Sequence, residues 1–272
     1  LPSYLRSATA PNTLKIATWN VNSIRARFDL LLDWLKTSTP DVVCLQETKV
    51  TDEDFPTLEL QMLGYSVAMA GQRTYNGVAI VSRLPMKDIE VGLVDDPLPA
   101  EKRLIAATIR GVRILSAYIP NGKSIDSPSF ADKLQWLAAL RKTLDARILG
   151  GMPIVLSGDF NIAADERDVY DAERMRGQLH FHEKEHAALK HVLDFGLCDA
   201  FRLHHAAGQL FSWWDYRGAS LRLNQGLRID YLFLSHALKE RCTSAEMVKE
   251  VRLRDKPSDH IPVVIELADG AP

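Results

Sequence analysis

Ile154-Val155-Leu156-Ser157-Gly158-Asp159-Phe160-Asn161 is the stretch on which the fold of this chain turns. A short apolar run bounded by glycine reads as a buried strand ending in a turn. Gly158 is expected to permit a sharp exit from that strand. Asp159 and Asn161 then stand at a strand end, badly placed for a core and well placed for chemistry. If strand geometry persists, their i, i+2 spacing puts both side chains on one side. An Asp there can take a proton from water, and the Asn can hold that water or a phosphoryl oxygen. Taken alone, Gly-Asp-x-Asn reads more readily as ordinary turn chemistry.

Four other polar clusters adjoin apolar runs in the same way. They are Trp19-Asn20-Val21-Asn22, Gln46-Glu47-Thr48, Arg228-Ile229-Asp230 and Ser258-Asp259-His260. Glu47 follows Val42-Val43-Cys44-Leu45, and a carboxylate ending so apolar a strand needs compensation. A divalent-cation ligand is one reading, with oxygen chemistry suited to Mg²⁺ or Mn²⁺; an exposed loop residue is the other. An Asp bonded to an imidazole fixes its tautomer and favours its charged form, so Asp230 is the expected partner of His260. Asp259 is then a group at or beside the metal. Tyr118, closing another apolar run, and Asn121 just beyond it can donate to phosphate oxygens. Several carboxylates, amides and one His at one sheet edge would make a cation site with an acid/base partner, which is what phosphodiester hydrolysis requires.

The segment Phe211-Ser212-Trp213-Trp214-Asp215-Tyr216-Arg217 interleaves aromatic and charged groups. Aromatic faces stack on bases or sugars and Arg meets phosphate, so one Trp is expected inward and one at a pocket. His182-Glu183-Lys184-Glu185-His186 fits the zinc-protease pattern H-E-x-x-H. Its charged middle positions and the want of an evident third ligand argue instead for a solvated helix face.

Strands are expected at 14–20, 41–46, 66–71, 77–82, 103–109, 112–119, 153–158, 228–235, 244–252 and 261–267, and helices at 26–38, 128–147 and 184–194. Ser127 is the expected N-cap of the second helix and Pro128 its first residue. Phe130, Leu134, Leu137, Leu140 and Leu144 form its apolar face. No linker or composition break divides the chain, so residues 1–13 read as a tail and 14–268 as one α/β domain.

The 272 residues are 46% hydrophobic and carry a formal net charge of -2, a balance that argues mildly against a nucleic-acid binder. Bound divalent metal would soften that argument. Cys44, Cys198 and Cys242 make no C-x-x-C and suit a reducing cytosol, and no run is long enough to cross a bilayer. The reading is of a cytoplasmic protein that works as a monomer, with no membrane partner.

In combination the clusters resemble the exonuclease III family of apurinic/apyrimidinic (AP) endonucleases, within the endonuclease/exonuclease/phosphatase superfamily. The resemblance runs over about residues 14–267 in order, through Ile16-Ala17-Thr18-Trp19-Asn20-Val21-Asn22, Leu45-Gln46-Glu47-Thr48-Lys49, Tyr75-Asn76-Gly77-Val78, Gly158-Asp159-Phe160-Asn161, Gly226-Leu227-Arg228-Ile229-Asp230 and Lys256-Pro257-Ser258-Asp259-His260. It implies a four-layer α/β sandwich of the DNase I-like kind, two packed mixed sheets flanked by helices. It also implies a Mg²⁺-dependent nuclease acting on double-stranded DNA with abasic or damaged 3′ ends and leaving a 3′-hydroxyl. By motif, Glu47 would be the principal metal ligand with Asn20, Asn22 and Asp259 nearby. Asp159 would activate or orient water, Asn161 and Tyr118 would bind the scissile phosphate, and His260 with Asp230 would stabilise charge at phosphorus. Asn121 and Arg217 would contact DNA, and Trp213, Trp214, Leu227 and Ile229 would line a pocket for a flipped-out sugar or frayed 3′ end. The expected activity is AP endonuclease plus 3′ exonuclease and phosphatase. The alternative is a 3′-end enzyme without AP cleavage, because the insert from Asp165 to His182 resembles a branch in which 3′ trimming can dominate.

Overall fold

The structure is a computed structural model that describes residues 13–269. The expected tail lies outside the described residues except for Thr13, which opens the first strand. In chain order the elements are β1 (Thr13–Asn20), α1 (Phe28–Ser38), β2 (Val42–Gln46), α2 (Thr57–Met62), β3 (Ser66–Ala70), β4 (Val78–Ser82), β5 (Lys87–Val91), β6 (Leu104–Ile109), β7 (Val112–Tyr118), α3 (Pro128–Arg147) and β8 (Ile154–Asp159). Then come α4 (Ala172–Met175), α5 (Glu183–Leu193), β9 (Leu197–Asp199), α6 (Ala200–His204), β10 (Asp230–Ser235), α7 (His236–Lys239), β11 (Cys242–Met247) and β12 (Val263–Ala268).

Two six-stranded mixed sheets pack face to face, in the orders β11-β12-β1-β2-β4-β3 and β5-β6-β7-β8-β10-β9. Strand alternation builds the layers. On β1, Leu14 and Ile16 point between the sheets with Val42, Cys44, Ile114, Val155 and Leu232. Ala17 and Trp19 point the other way, onto Leu31, Trp34 and Leu35 of α1. On the second sheet, Leu115, Leu156 and Phe233 face Trp136, Leu137 and Leu140 of α3 and Leu189 of α5. The result is the expected four-layer α/β sandwich.

Each sheet contains one parallel pair, β1 with β2 and β7 with β8, while the other pairings are antiparallel. Parallel neighbours end at the same edge, so Asn20 lies beside Gln46 and Tyr118 beside Asp159 in register. That geometry gathers the polar strand ends.

Several expectations are corrected. β8 does not leave the sheet at Gly158 but runs on to Asp159. A Cβ on Gly158, at φ +142°, would sit 1.8 Å from the Ala117 carbonyl oxygen, so the glycine is required by the closeness of β7. Ser127 occupies the N-cap position of α3 without a side-chain bond to the helix; its hydroxyl donates to the carbonyls of Gly122 and Ser124. In α3, Phe130, Leu137, Leu140 and Leu144 are buried as expected, but Lys133 is fully buried and Leu134 only partly so. The strand expected over 244–252 stops at Met247, and Lys249–Leu253 forms a 3-10 turn. β5 and β9 were not expected. β5 is an exposed edge strand rich in charge, a composition that discourages edge-to-edge pairing and hides the apolar signal. Among the described residues no helix is long and apolar enough to cross a membrane.

Candidate active site

At the shared edge the strand ends turn away sharply. Asn22, Glu47 and Asn161 all have left-handed backbones, at φ 44°, 51° and 52°. Side-chain turns hold two of these bends: Asn20 Oδ1 accepts from the Asn22 amide at 2.9 Å, and Asp159 Oδ1 accepts from the Asn161 amide at 2.9 Å. The strand geometry expected to persist from Asp159 to Asn161 therefore breaks, and Asn161 instead folds its amide back, 3.1 Å from the Ile119 carbonyl and 3.4 Å from Asp159 Oδ2.

Asn20 ties the two sheets together. Its amide donates to Glu47 Oε1 at 2.7 Å and to Asp159 Oδ2 at 2.9 Å. Glu47 Oε2 meets the Lys49 ammonium at 2.8 Å, and the same ammonium donates to Asn22 Oδ1 at 2.5 Å. His260 is buried between two carboxylates: Nδ1 lies 2.8 Å from Asp230 Oδ2, and Nε2 lies 3.7 Å from Asp159 Oδ2. Burial opposes charge on this ring, but Asp230 and then Asp159 outweigh it and push its pKa up to about 10. Burial pushes Asp159 up to about 7; the nearby His260 charge opposes this and Asp230 adds to it.

Asp259 is also largely enclosed, yet the His260 charge and hydrogen bonds from Asn22 and Trp213 hold its carboxyl below the usual range. Asn22 Nδ2 reaches Asp259 Oδ1 at 2.9 Å, and Trp213 Nε1 reaches Oδ2 at 3.0 Å. The carboxylate is thus engaged on both oxygens, and among the described residues Glu47, Asp159 and His260 bring one side-chain atom each to within 4.8 Å of one another, the two carboxylates being the part of that group free to hold a cation. The Tyr118 hydroxyl is buried, and burial followed by the Glu47 and Asp159 charges pushes it well above 10, so the phenol keeps its proton. The Arg103 guanidinium lies 4.7 Å over the Tyr118 ring and donates to its carbonyl at 3.1 Å. Asn121 Nδ2 donates to Asn161 Oδ1 at 3.1 Å.

The aromatic segment divides. The half-buried Trp213 bridges Leu227 and the backbone of His260, with its ring 6.5 Å from the imidazole. Leu227 and Ile229 pack beside it on Val169 and Phe181. Trp214, expected at the DNA, is buried on Phe211 and Ile261 and lines a separate cleft of about 260 Å³ with Phe201 and Met247. Arg217 is 93% exposed and leans on Asp215 at 3.6 Å, so it belongs to the outer surface.

The family model described as the endonuclease/exonuclease/phosphatase family matches residues 17–260. The chain belongs to that family. It is 35% identical to exodeoxyribonuclease III of Haemophilus influenzae over 265 residues, covering 93% of this chain and 99% of that one. Among solved structures it is similar to a 3′ phosphatase from Neisseria bound to product DNA hairpin, at 40% identity and a TM-score of 0.91, covering 94% of this chain and 100% of that chain. An AP endonuclease from Archaeoglobus fulgidus matches at 37% identity and 0.90 over the same shares.

Sequence reading missed supporting residues of this family member's site. Ser258 and Ser212 hold the strand ends through backbone bonds, Ser258 Oγ to the Asn20 carbonyl at 2.7 Å and Ser212 Oγ from the Asp230 amide at 3.1 Å. The H-E-x-x-H stretch is neither a zinc site nor wholly solvated: His182 and Glu185 form a capping box on α5, and Glu185 is fully buried. A lysine at an apolar-stripe position, Lys133, three residues after Phe130 and four before Leu137, was the signal available for its partner.

Proposed function

We propose that this chain is a metal-dependent DNA-repair phosphodiesterase that cuts 5′ to abasic sites and trims 3′ ends, leaving a 3′-hydroxyl. The observation that carries the reading is the meeting of Glu47, Asp159 and His260 at one edge of the two sheets. Two carboxylates beside an amide-rich wall form a hard-oxygen donor set that fits Mg²⁺ or Mn²⁺. Glu47 would hold the ion, with Asn20, Asn22 and Asp259 orienting it from behind, and the ion would offset charge developing on a phosphoryl oxygen. Asp159, with a pKa near neutrality, accepts the proton of the attacking water. His260 remains an imidazolium, which disqualifies it as the base and suits it to donate from Nε2 to the phosphoryl oxygen. Tyr118 and the Asn121 amide donate to the remaining phosphate oxygens, and the Asn161 amide joins them by giving up its long 3.4 Å contact to Asp159. Trp213, Leu227 and Ile229 form the apolar wall against the sugar. We take 14–268 as one catalytic domain, monomeric and cytoplasmic.

A second reading, 3′-end processing without AP cleavage, draws on one observation. Leu227 and Ile229 are 3% and 2% exposed and already packed against Val169 and Phe181, so a flipped-out sugar would have to displace protein side chains. The likeness to the Neisseria 3′ phosphatase points the same way. The test offers four substrates with Mg²⁺ or EDTA: a duplex with one abasic analogue, a recessed 3′ end, a 3′-phosphate end and an inositol phosphate. Turnover of the three DNA substrates, abolished by EDTA, is expected. Turnover of the ends but not the abasic duplex would select the second reading, and EDTA-resistant turnover would refute the metal.

A further inference from the structure

Behind the site, Lys133 and Glu185 form an ion pair in which both side chains are 0% exposed. Lys133 projects from α3 and Glu185 from α5. The ammonium has three donors and three acceptors: a Glu185 carboxylate oxygen, the Asn161 carbonyl at 2.7 Å and the Asn121 carbonyl at 3.2 Å. The second Glu185 oxygen accepts from the His182 amide at 3.1 Å, which caps α5. The pair thus clamps the backbone of two loops, one after β7 and one after β8, at the two asparagines whose side chains meet. The clamp meets Asn161 at a bend, where the backbone takes the left-handed conformation that asparagine adopts more readily than most residues. His180 adds a further bond to the same carbonyl, its Nδ1 donating at 2.6 Å.

We propose that Lys133 and Glu185 are positioning residues for the reaction: their buried pair sets the orientation of the Asn161 and Asn121 amides toward the scissile phosphate. The proposal rests on the reading of the site as a phosphodiesterase. Its chemistry is simple. A buried ammonium donates to main-chain carbonyls more strongly than a neutral group, and those carbonyls sit on the same residues as the amides it aims. An apolar pair of like volume would fill the space but could not hold the carbonyls.

That difference supplies the test. A buried ion pair can often be replaced by apolar residues without loss of stability. The double variant Lys133→Met/Glu185→Met should therefore fold, with a Tm lowered by the backbone groups it leaves unpaired, the Asn121 carbonyl and the His182 amide. Its kcat on a 3′-phosphate duplex should fall by roughly 10- to 100-fold while KM changes by less than about threefold, since the lost contact acts on the transition state. A folded double variant with wild-type kcat would overturn the proposal and leave the pair a purely structural feature. If the double variant does not fold, Glu185→Gln decides, because it keeps the volume and one acceptor oxygen, which can serve Lys133 or the His182 amide but not both, while removing the charge. A fall in kcat of about threefold or more at unchanged KM supports positioning, and an unchanged kcat overturns it. A wild-type protein inactive on every DNA substrate would instead refute the phosphodiesterase reading itself, before any variant is compared.

Discussion

Asp230→Asn removes one charge from the site and changes little else. The asparagine oxygen can still accept from His260 Nδ1, which now stands 2.8 Å from Asp230 Oδ2. Its NH₂ then falls where Oδ1 lies buried without a hydrogen-bond partner, and an unsatisfied buried donor costs about 1–3 kcal/mol. The variant should fold with a lowered Tm. The larger effect is on the imidazole. Raising its pKa from an ordinary 6.5 to about 10 corresponds to about 5 kcal/mol in favour of the charged ring, at 1.36 kcal/mol per factor of ten. Asp230 is the foremost of the charges that overcome burial. Its loss lowers that pKa. The assay is kcat against pH on a 3′-phosphate duplex at saturating Mg²⁺. In the wild type, activity should rise as Asp159 ionises, with the adjacent Mg²⁺ drawing that limb below the metal-free value of about 7, and fall as pH passes about 10 and His260 loses its proton. In Asp230→Asn the falling limb should move to lower pH. Stability offers an independent sign. Because the folded pKa of His260 is raised, its contribution is fully present below about 6.5 and lost as pH climbs through about 10. The Tm deficit of the variant should therefore be larger at pH 6 than at pH 10. A falling limb that stays near 10, together with a Tm deficit independent of pH, would refute the account of His260 as a held imidazolium.

Asp159→Asn removes the proposed base and should lower kcat by at least ~10²-fold while DNA binding, followed by fluorescence anisotropy, is retained. Gly158→Ala puts a methyl group 1.8 Å from the Ala117 carbonyl oxygen, and should cost several kcal/mol, measured as loss of soluble protein or a Tm lowered by more than about 5 °C. Mg²⁺ at tenfold its Kd should raise the Tm by roughly 3–5 °C in the wild type and not in Glu47→Gln, a readout that does not depend on turnover.

Much of the layer plan was legible because central strands covered on both faces read as unbroken apolar runs. Val42-Val43-Cys44-Leu45 and Ile154-Val155-Leu156 are buried throughout. β5 escaped notice for the opposite reason: all five of its residues are exposed, and an edge strand needs no apolar side. The polar ends of the strands were equally visible, since nothing in a core calls for Asn20, Glu47 or Asp159. What periodicity cannot express is direction after the last ladder bond. Asn22, Glu47 and Asn161 take left-handed backbones that no alternation pattern encodes. Adjacent tryptophans posed a related difficulty. Trp213 and Trp214 are neighbours in an extended stretch, so one faces the site and the other the core, and composition cannot say which.

Lys133 and Glu185 mark the point where pattern reading and site chemistry meet. A charge on an apolar stripe is expensive to bury, and Lys133 sits among Phe130, Leu137 and Leu140 with its stem against Gly122. Burial works to strip the proton from the ammonium, and Glu185 is the first of the charges that oppose it. A core that needed only stability would hold a leucine at position 133. The ion pair instead spends its hydrogen bonds on two carbonyls, those of Asn121 and Asn161, beside the carboxylate of Asp159. Residues that break the apolar pattern around this site thus include those at the strand ends that face the edge and those behind them that hold the ends in place. The second set is harder to see in a sequence because its members lie far apart along the chain: Lys133 is 28 residues from Asn161, and Glu185 is 52 residues from Lys133.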